Sequence, residues 1–350
     1  MRGAFAKAAA TLWCGVAIVT GLSSAGAAVT ATGSNTTAVI KDNLYGTKFI
    51  DPEHGWVVGA FGVIAVTADG GQTWQTQPSK TTQQLYDVDF VDAKTGWAVG
   101  RQGVLLHTGN GGASWESQRS GTEQHLFSID FVDAQHGVAV GDFGTILITA
   151  DGGEHWENHT LSEDVVLYDV SMVDPSHAWI AGELGTVLTT ADGGRTWTKQ
   201  ETAIQKTLFG VYFADAQHGW VVGIDALIVY TADGGQTWQV QNGSTEIRGL
   251  EQVGFGQAYD NPSLYSIAVI GDTGIAAGEI GAIYLSHDGG QTWSRQDTAA
   301  TPAGAKWFRA VSIVPGTYGA IVGAGGARER IVEGRLQGLS GGTRAAEAVH

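Results

Sequence analysis

The fold is decided by the stretch Thr67-Ala68-Asp69-Gly70-Gly71-Gln72-Thr73-Trp74, which the chain repeats five more times with small changes. The third position of the six copies is occupied by Asp69, Asn110, Asp151, Asp192, Asp233 and Asp288. The first four intervals between these residues are 41 residues long, and the fifth is 55. A fixed period of this length predicts an array of supersecondary units that stack on one another.

The octet has a local explanation as a turn. An Asp or Asn side-chain oxygen accepts backbone N–H bonds within its own turn, and glycines reach backbone angles that other residues avoid. The tryptophan that ends the octet begins a strand and supplies a large apolar surface. We therefore predict that the six residues at the third position build turns and take no part in catalysis.

Each unit contains four short strand-like pieces separated by turn signals, which is typical of an all-β array. In the second unit these pieces are Leu85–Val91, Trp97–Gly100, Val104–Thr108 and Trp115–Gln118. A leucine followed by an aromatic residue opens six units, and a looser seventh copy of this opening is expected at Trp307-Phe308. No segment shows a sustained helical period.

The seventh unit continues through Ala320–Gly323 and Arg328–Val332, but it has no octet and no recognisable fourth strand. Thr37–Lys41 precedes the first unit and is a candidate for the missing strand, since a blade shared by both termini closes a ring and hides its edges. The sequence thus predicts a seven-bladed β-propeller over residues 29–335, closed by an N-terminal strand that completes the last blade. Residues 336–350 are expected to form a disordered tail, and a six-bladed ring is the alternative.

The octet resembles the Asp-box, or bacterial neuraminidase repeat, which sialidases, sortilin-type receptors and some glycosidases carry on β-propellers. A longer pattern, Gly-Trp-Ala-Val-Gly-x-x-Gly-x-x-x-x-Thr-x-Asp-Gly-Gly-x-Thr-Trp, is similar to the repeat of the photosystem II stability/assembly factor family and its non-photosynthetic bacterial relatives. Residues 96–115 and 178–197 follow this pattern nearly throughout, and the similarity covers about residues 40–333. The resemblance implies a non-catalytic binding scaffold, or an assembly and stability factor for a membrane-associated protein complex, that needs no cofactor.

Residues 1–28 have the features of a secretion signal. Arg2 and Lys7 form a basic start, residues 8–22 are mostly apolar, and Ala25-Gly26-Ala27 offers a cleavage site. Cys14 lies inside this segment, so the mature chain is expected to lack disulfides and thiol chemistry. Because no second apolar run is long enough to cross a bilayer, we expect an exported protein in the periplasm or outside the cell.

The charge balance restricts the class of partner. The chain has 19 basic and 35 acidic residues, a net charge of −16, and removal of Arg2 and Lys7 with the signal leaves −18. Such acidity disfavours binding to nucleic acid or to anionic lipid. Photosynthetic members of the family are associated with an arginine-rich patch, which this composition does not match. We therefore expect a different client in the cell envelope, such as a transporter or secretion assembly of a non-photosynthetic bacterium.

Chain order in a propeller places the Gly-x-x-Gly turns and the connections between units on one face. The acidic residues of these turns are Asp142, Glu183, Asp225 and Glu279, which would form an arc for a basic segment of a partner, although tight turns favour such residues in any case. The connection Asn242–Ser263 contains the 14 residues by which the fifth interval exceeds the others. It carries Arg248, Phe255 and Tyr259, residue types suited to an interface. We predict that this face binds a protein at or in the envelope membrane, the alternative being a solvated insertion without a role.

Two further sets of residues invite a chemical interpretation. His54, His136, His177 and His218 recur at one position of four different units, so a ring would hold them apart, whereas a metal needs its ligands around one point. Four aspartates lie on the first strands, nearest the axis: Asp87, Asp89, Asp130 and Asp169. There they would either hold a cation, act as an acid/base pair, or accept backbone N–H bonds from neighbouring blades. We predict no metal site and prefer the last of these roles for the aspartates.

The competing function is a secreted Asp-box glycosidase. Sialidases need several arginines around the carboxylate of the sugar. Chain order places only three arginines near the turn-bearing face, namely Arg101, Arg248 and Arg309. The channel carboxylates would suffice for other glycosidases. Trp56, Trp97, Trp179 and Trp220 would offer platforms for a sugar, yet their regular recurrence favours packing between blades. The sequence therefore predicts a protein that is not an enzyme.

Overall fold

The computed structural model describes residues 40–246, 261–296, 307–315, 318–332 and 335–338. These residues form seven four-stranded antiparallel sheets in which sequential strands are neighbours. The prediction of an all-β, seven-bladed β-propeller is thereby confirmed. Within the described part of the chain, no helix has the length and the apolar character required to cross a membrane. The predicted signal segment lies outside the described residues.

The innermost strand of each blade comes first in the chain. Blades 1 to 4 contain β1 Leu44–Phe49, β2 His54–Gly59, β3 Ile64–Ala68, β4 Gln75–Gln77; β5 Leu85–Phe90, β6 Gly96–Gly100, β7 Leu105–Thr108, β8 Glu116–Ser117; β9 Leu126–Phe131, β10 Gly137–Gly141, β11 Ile146–Thr149, β12 Glu157–Asn158; and β13 Leu167–Met172, β14 Ala178–Gly182, β15 Val187–Thr190, β16 Thr198–Lys199. Blades 5 to 7 contain β17 Leu208–Phe213, β18 Gly219–Gly223, β19 Leu227–Thr231, β20 Gln239–Asn242; β21 Leu264–Ile270, β22 Thr273–Gly278, β23 Ile283–Ser286, β24 Ser294–Arg295; and β25 Phe308–Val314, β26 Tyr318–Gly323, β27 Arg328–Val332, β28 Arg335–Gly338.

The seventh blade differs from the sequence-based prediction because it has its own fourth strand. Val332 pairs with Arg335, so β28 lies beside β27 as the outermost strand, and the propeller extends to Gly338. The prediction that this blade lacks a fourth strand was therefore wrong. Of the expected donor segment Thr37–Lys41, Ile40 and Lys41 lie outside any strand, and residues 37–39 fall outside the described part.

The ring closes by packing of the first blade against the last. The Phe49 backbone N–H donates to Ser312 Oγ at 3.0 Å, and the Tyr318 hydroxyl donates to the Gly70 carbonyl at 2.9 Å. Leu44 and Phe49 share one buried apolar cluster with Tyr318 and with residues of β25 and β26. Closure thus depends on hydrogen bonds and apolar packing between two complete blades.

A short 3-10 turn joins the second and third strands of every blade and contacts the innermost strand of the next blade. These turns are Ala60–Gly62, Arg101–Gly103, Asp142–Gly144, Glu183–Gly185, Ile224–Ala226, Glu279–Gly281 and Ala324–Gly326. In the third blade the Asp142 N–H donates to the His125 carbonyl, and a Cβ on Gly141 would lie 1.8 Å from that oxygen. Glycine is required there by the close approach of two backbones. We call the face that carries these turns and the starts of the innermost strands the turn face.

The second-strand tryptophans pack between blades, as predicted. Trp97 is fully buried, stacks on Phe131 of the next blade at 3.5 Å between ring centroids, and donates its Nε1–H to the Gly152 carbonyl at 3.0 Å. Trp56 and Trp179 make the same two contacts with the blade that follows each of them. These rings therefore stabilise the contact between blades and are not available as sugar platforms.

The octet residues bond within their own turns. Asp69 Oδ1 accepts the Thr73 backbone N–H at 2.8 Å and the Thr67 hydroxyl at 2.8 Å, while its Oδ2 accepts the Thr73 hydroxyl at 2.6 Å. These bonds hold the pKa of Asp69 below its ordinary value, although its partial burial acts in the opposite direction. Asn110 repeats the pattern, with its Nδ2 donating to Ser114 Oγ at 2.9 Å.

We expect Asp69→Ala to lower the free energy of unfolding by about 1 kcal/mol, because turn donors lose their acceptor. Asp69→Asn should lower it less, since Asn110 already makes equivalent bonds in the second blade. Urea unfolding followed by tryptophan fluorescence measures both values. Equal losses for the two variants would show that the turn does not depend on these bonds.

Candidate functional site

The central channel is lined by polar side chains of the innermost strands that link each blade to the next. Asp87 Oδ2 accepts the Ile129 backbone N–H at 3.0 Å, Asp89 Oδ2 that of Phe131 at 2.8 Å, and Asp130 Oδ2 that of Met172 at 2.6 Å. Further bonds of this kind are Val211 N–H to Asp169 Oδ2, Phe213 N–H to Ser171 Oγ, Val311 N–H to Ser266 Oγ and Phe49 N–H to Ser312 Oγ. The structure thus confirms the interpretation of these aspartates as acceptors for neighbouring blades.

The same residues surround a cavity of about 490 Å³. Lys48 Nζ lies 2.6 Å from Asp89 Oδ1. Burial of the amine lowers its pKa, but Asp89 together with Asp130 and Asp87 outweighs this burial, so the pKa of Lys48 is raised. Burial raises the pKa of Asp87, Asp130 and Asp169 to about 7 in each case. The main role of the carboxyls of Asp87, Asp130 and Asp169 is therefore to hydrogen-bond neighbouring blades to one another.

A ring of aromatic side chains occupies the channel mouth on the turn face. A β-bulge interrupts the register at the second residue of each innermost strand, and bulges redirect side chains. The residues at these seven equivalent positions are Tyr45, Tyr86, Phe127, Tyr168, Phe209, Tyr265 and Arg309. From Tyr45 to Tyr265, successive ring centroids are 5.9, 5.4, 6.0, 5.0 and 5.3 Å apart.

Arg309 completes this ring; chain order placed it near the turn-bearing face, but the sequence analysis assigned the opening of the strand to Trp307-Phe308. Phe308 pairs with Gly323 as Leu44 pairs with Gly59, so the seventh copy of the opening is Phe308-Arg309 and not Trp307-Phe308. The Arg309 guanidinium carbon lies 4.5 Å from the centre of the Tyr265 ring. Its electrostatic interactions also reach Tyr168 and Asp169 of blade 4 and Tyr45 of blade 1, while burial lowers the pKa of Arg309. The guanidinium therefore lies in the ring, beside Tyr265.

The tips of the 3-10 turns carry exposed apolar side chains around this mouth. The exposed fractions are 75% for Phe61, 53% for Phe143, 64% for Leu184 and 37% for Ile280. All four have φ between 54° and 56°, in the left-handed region that residues with a Cβ avoid, and a β-branched residue such as Ile280 avoids it most strongly. Gln102, Asp225 and Gly325 hold the equivalent positions in the other blades. An exposed apolar side chain and a strained backbone each lower the stability of the folded protein, so the stability of the fold does not explain why they are present. Such strain is found at functional sites.

The acidic turn residues lie on the turn face and make contacts within the ring. Glu183 is buried and accepts the Val166 N–H at 3.3 Å, with the Tyr168 hydroxyl at 3.5 Å. Glu279 accepts the Tyr265 hydroxyl at 2.9 Å. These two carboxylates therefore hold residues of the aromatic ring in place. They are less exposed to solvent than the predicted acidic arc requires.

The other two members of the acidic set differ from one another. Asp225 Oδ2 pairs with Lys206 Nζ at 2.7 Å. Burial, together with the nearby Glu183 and Asp164, raises the pKa of Asp142 to about 6. The remaining predicted partner-binding residues, Arg248, Phe255 and Tyr259, lie outside the described residues.

The four recurrent histidines each contact an aspartate in their own turn. His54 Nδ1 lies 2.9 Å from Asp51 Oδ2, and His136 Nδ1 lies 2.9 Å from Asp133 Oδ2. His177 and His218 repeat this contact with Asp174 and Asp215. Each pair therefore belongs to a separate blade.

The family model of the photosynthesis system II assembly factor YCF48 matches residues 28–122, 114–199 and 198–308. The chain belongs to this family. No curated protein matches the chain. Among solved structures, "YCF48 bound to D1 peptide" has a TM-score of 0.67 at 21% identity and covers 85% of this chain and 95% of its own.

YCF48 from Cyanidioschyzon merolae has a TM-score of 0.65 at 20% identity, with coverage of 84% and 97%. The WD40 repeats of RRP9, with a TM-score of 0.67 at 10% identity and coverage of 86% and 96%, share the propeller architecture as well. At these identities the structural likeness shows the fold.

Proposed function

We propose that this protein is an exported, non-catalytic assembly or stability factor whose turn face holds a segment of a client protein from a membrane-associated complex. The observation that carries this proposal is the set of exposed apolar side chains in left-handed turns around the aromatic mouth. Membership of the YCF48 family supports the assembly role. The YCF48 structure bound to D1 peptide supports a polypeptide as the ligand.

The charge of the chain supports a protein client. A net charge of −16 repels anionic lipid head groups and nucleic acid. Apolar turn tips beside half-buried acidic groups such as Asp142 and Glu279 suit a segment that is apolar and neutral or basic. The client is then a component of the cell envelope other than a photosystem, in a non-photosynthetic bacterium.

No observation favours the glycosidase alternative. Both oxygens of Asp169 accept hydrogen bonds, from Ser128 and Val170 on one side and from Val211 on the other. Asp87 and Asp130 likewise accept backbone N–H bonds. A non-catalytic role agrees with carboxyls that are committed to holding the blades together.

The proposal is tested by replacing Phe61, Phe143 and Leu184 together with glycine. Glycine is at ease at positive φ and already stands at Gly325, so the variant should be as stable as the parent or more stable. We expect recovery of the client from envelope extracts to fall by at least about tenfold, the factor that corresponds to about 1.4 kcal/mol of lost contact. Affinity capture followed by mass spectrometry measures the recovery.

Gln102→Gly is the matched control, because it changes the same turn position in the second blade without removing an apolar side chain. Full recovery of the client by the triple variant would contradict the proposal. A variant with residues 245–260 shortened to a Gly-Ser link tests the predicted contribution of Arg248, Phe255 and Tyr259. Cell fractionation of the full chain with residues 1–28 intact tests export.

A further inference from the structure

The contact between blades 3 and 4 lacks the pair of stacked aromatic rings that joins other neighbouring blades. Between blades 2 and 3, Trp97 stacks on Phe131. In β10, Val138 stands at the position that Trp97 holds in β6. The innermost strand of blade 4 ends in Met172, whereas that of blade 3 ends in Phe131. Side-chain atoms therefore fill less space at this contact than at the one before it.

A cavity of about 600 Å³ lies at this contact. Val138, Ile148 and Met172 provide apolar side chains to its wall, and Gly193 of the octet in blade 4 borders it. Its volume is within the range of roughly 300–1,000 Å³ that is typical of small-molecule sites. Because Val138 and Met172 both line it, the cavity includes the place that a stacked tryptophan holds at the preceding contact. The octets join third and fourth strands, at the ends of the sheets opposite the turn face, so this cavity is separate from the aromatic mouth.

The Gly193 carbonyl lacks the donor that its counterparts have. In the other octets, the carbonyl of the fourth residue accepts a side-chain N–H or O–H from the preceding blade: Gly111 from Trp56, Gly152 from Trp97, Gly234 from Trp179, Gly290 from Trp220 and Gly70 from Tyr318. Gln118 Nε2 also donates to Gly152, but its counterpart His159 lies 3.5 Å from Glu157. Within the described part of the chain, no side chain donates to the Gly193 carbonyl.

We propose that this cavity binds a small indole compound that carries an amine. An indole ring has the shape and the N–H donor of the tryptophan that the chain uses at four other contacts between blades. Its N–H would donate to the Gly193 carbonyl, as Trp97 Nε1–H donates to the Gly152 carbonyl at 3.0 Å. Met172 suits such a ring, because a methionine side chain is flexible and its sulfur makes favourable contacts with aromatic rings. This site does not depend on the function proposed for the turn face.

The charged residues at the cavity indicate the charge of the ligand. Asp151, Glu157 and Asp192 provide three carboxylates, and Arg195 provides one guanidinium. Hydrogen bonds within the octet turns lower the pKa of Asp151 and Asp192 to about 2, so both carboxyls are ionised at neutral pH. His155 Nδ1 lies 2.7 Å from Asp151 Oδ2, and even a protonated His155 would leave an excess of negative charge. An amine is therefore attracted to this cavity, and an anionic substituent is repelled.

The experiment measures binding of three compounds to the full chain by isothermal titration calorimetry. The compounds are tryptamine, tryptamine methylated on the ring nitrogen, and indole propionate. Tryptamine should bind at least about fivefold more tightly than the methylated compound, which cannot donate to the Gly193 carbonyl. It should also bind more tightly than the propionate. Absence of tryptamine binding at millimolar concentration, or equal affinities for any two of the three compounds, would overturn the inference.

A variant that supplies the missing rings from the chain itself tests the location of the site. Val138→Trp together with Met172→Phe reproduces the pair found between blades 2 and 3. This variant should lose tryptamine binding by at least about tenfold and unfold at a temperature no lower than that of the parent. Val138→Phe fills part of the same space and should weaken binding at least about fivefold, which provides a second test if the double variant does not fold.

Gln102→Gly is the control, because it changes the turn face and should bind tryptamine as the parent does. Unchanged affinity in the variants of Val138 would contradict the proposed site. The peptide acetyl-Gly-Trp-Lys amide presents the same ring and a positive charge as part of a polypeptide. Tighter binding of this peptide than of tryptamine would overturn the assignment of a small molecule and indicate a tryptophan side chain of a partner protein.

Discussion

Replacement of Trp97 by alanine should lower the free energy of unfolding by about 3–5 kcal/mol, the range for removal of a large buried aromatic side chain. Trp97 is fully buried and stacks on Phe131 of the following blade. The substitution would leave a cavity between two blades and remove the Nε1–H bond to the Gly152 carbonyl. Urea unfolding at constant pH, monitored by circular dichroism, measures the change.

Trp97→Phe is the matched control, because it preserves an aromatic ring against Phe131. The Gly152 carbonyl also accepts a bond from Gln118 Nε2 at 3.1 Å, so it would keep a partner. We therefore expect the phenylalanine variant to lose less than half as much stability as the alanine variant. Similar losses in both would show that the hydrogen bond, and not the packing, holds the blades together.

Replacement of Glu329 by leucine should stabilise the protein at pH 8 by on the order of 2 kcal/mol, after allowance for partial solvent screening. Glu329 is 2% exposed and pairs with Ile321, in the core between blades 6 and 7. Among the described residues, its Oε2 has no hydrogen-bond partner. The equivalent positions of the other blades carry Ala65, Leu106, Leu147, Leu188, Val229 and Tyr284.

Burial raises the pKa of Glu329 from 4.5 to about 7. The folded protein then holds a proton that the unfolded chain releases, so stability falls as the pH rises between these values. The advantage of Glu329→Leu should therefore be small at pH 4 and larger at pH 8. Asp87, Asp130 and Asp169 are unchanged in the variant, so their own contribution cancels in the difference.

Thermal unfolding of both proteins across this pH range measures the effect. Glu329→Gln, which cannot ionise but remains polar, should gain part of the stability. An advantage of the leucine variant that is the same at pH 4 and pH 8 would mean that folding does not shift the pKa of the Glu329 carboxyl.

The period of the octet, together with the looser seventh copy of the strand opening, was sufficient to predict seven blades, because each copy marks one unit of the ring. The fourth strand of blade 7 escaped prediction because it follows no octet, and Arg335–Gly338 has a weak strand pattern. The position of Arg309 in its strand was misassigned for a related reason. An aromatic pair at Trp307-Phe308 imitates the opening of the other units, and only strand pairing shows that the true register starts one residue later.

The candidate site depended on conformations that residue types do not reveal. A Gly-x-x-Gly pattern predicts a turn, but phenylalanine is not a residue expected in the left-handed region, so the exposure of Phe143 was not foreseen. Glu183 was predicted to contribute a surface charge. Its contacts with Val166 and Tyr168 appear only when the turn is placed beside the start of the innermost strand of its own blade.

The closure of the ring by two complete blades has a consequence for the order in which the chain acquires its structure. The surface of the first blade around Leu44, Phe49 and Trp74 is covered by Val314, Tyr318 and Val322, which are synthesised last. Phe49 and Ser312, whose hydrogen bond spans this seam, are separated by 263 residues. A nascent chain that ends before blade 7 would leave apolar surfaces uncovered at both ends of the array. An open solenoid gains stability with each added repeat, whereas this molecule reaches its full stability only when the last repeat has been made.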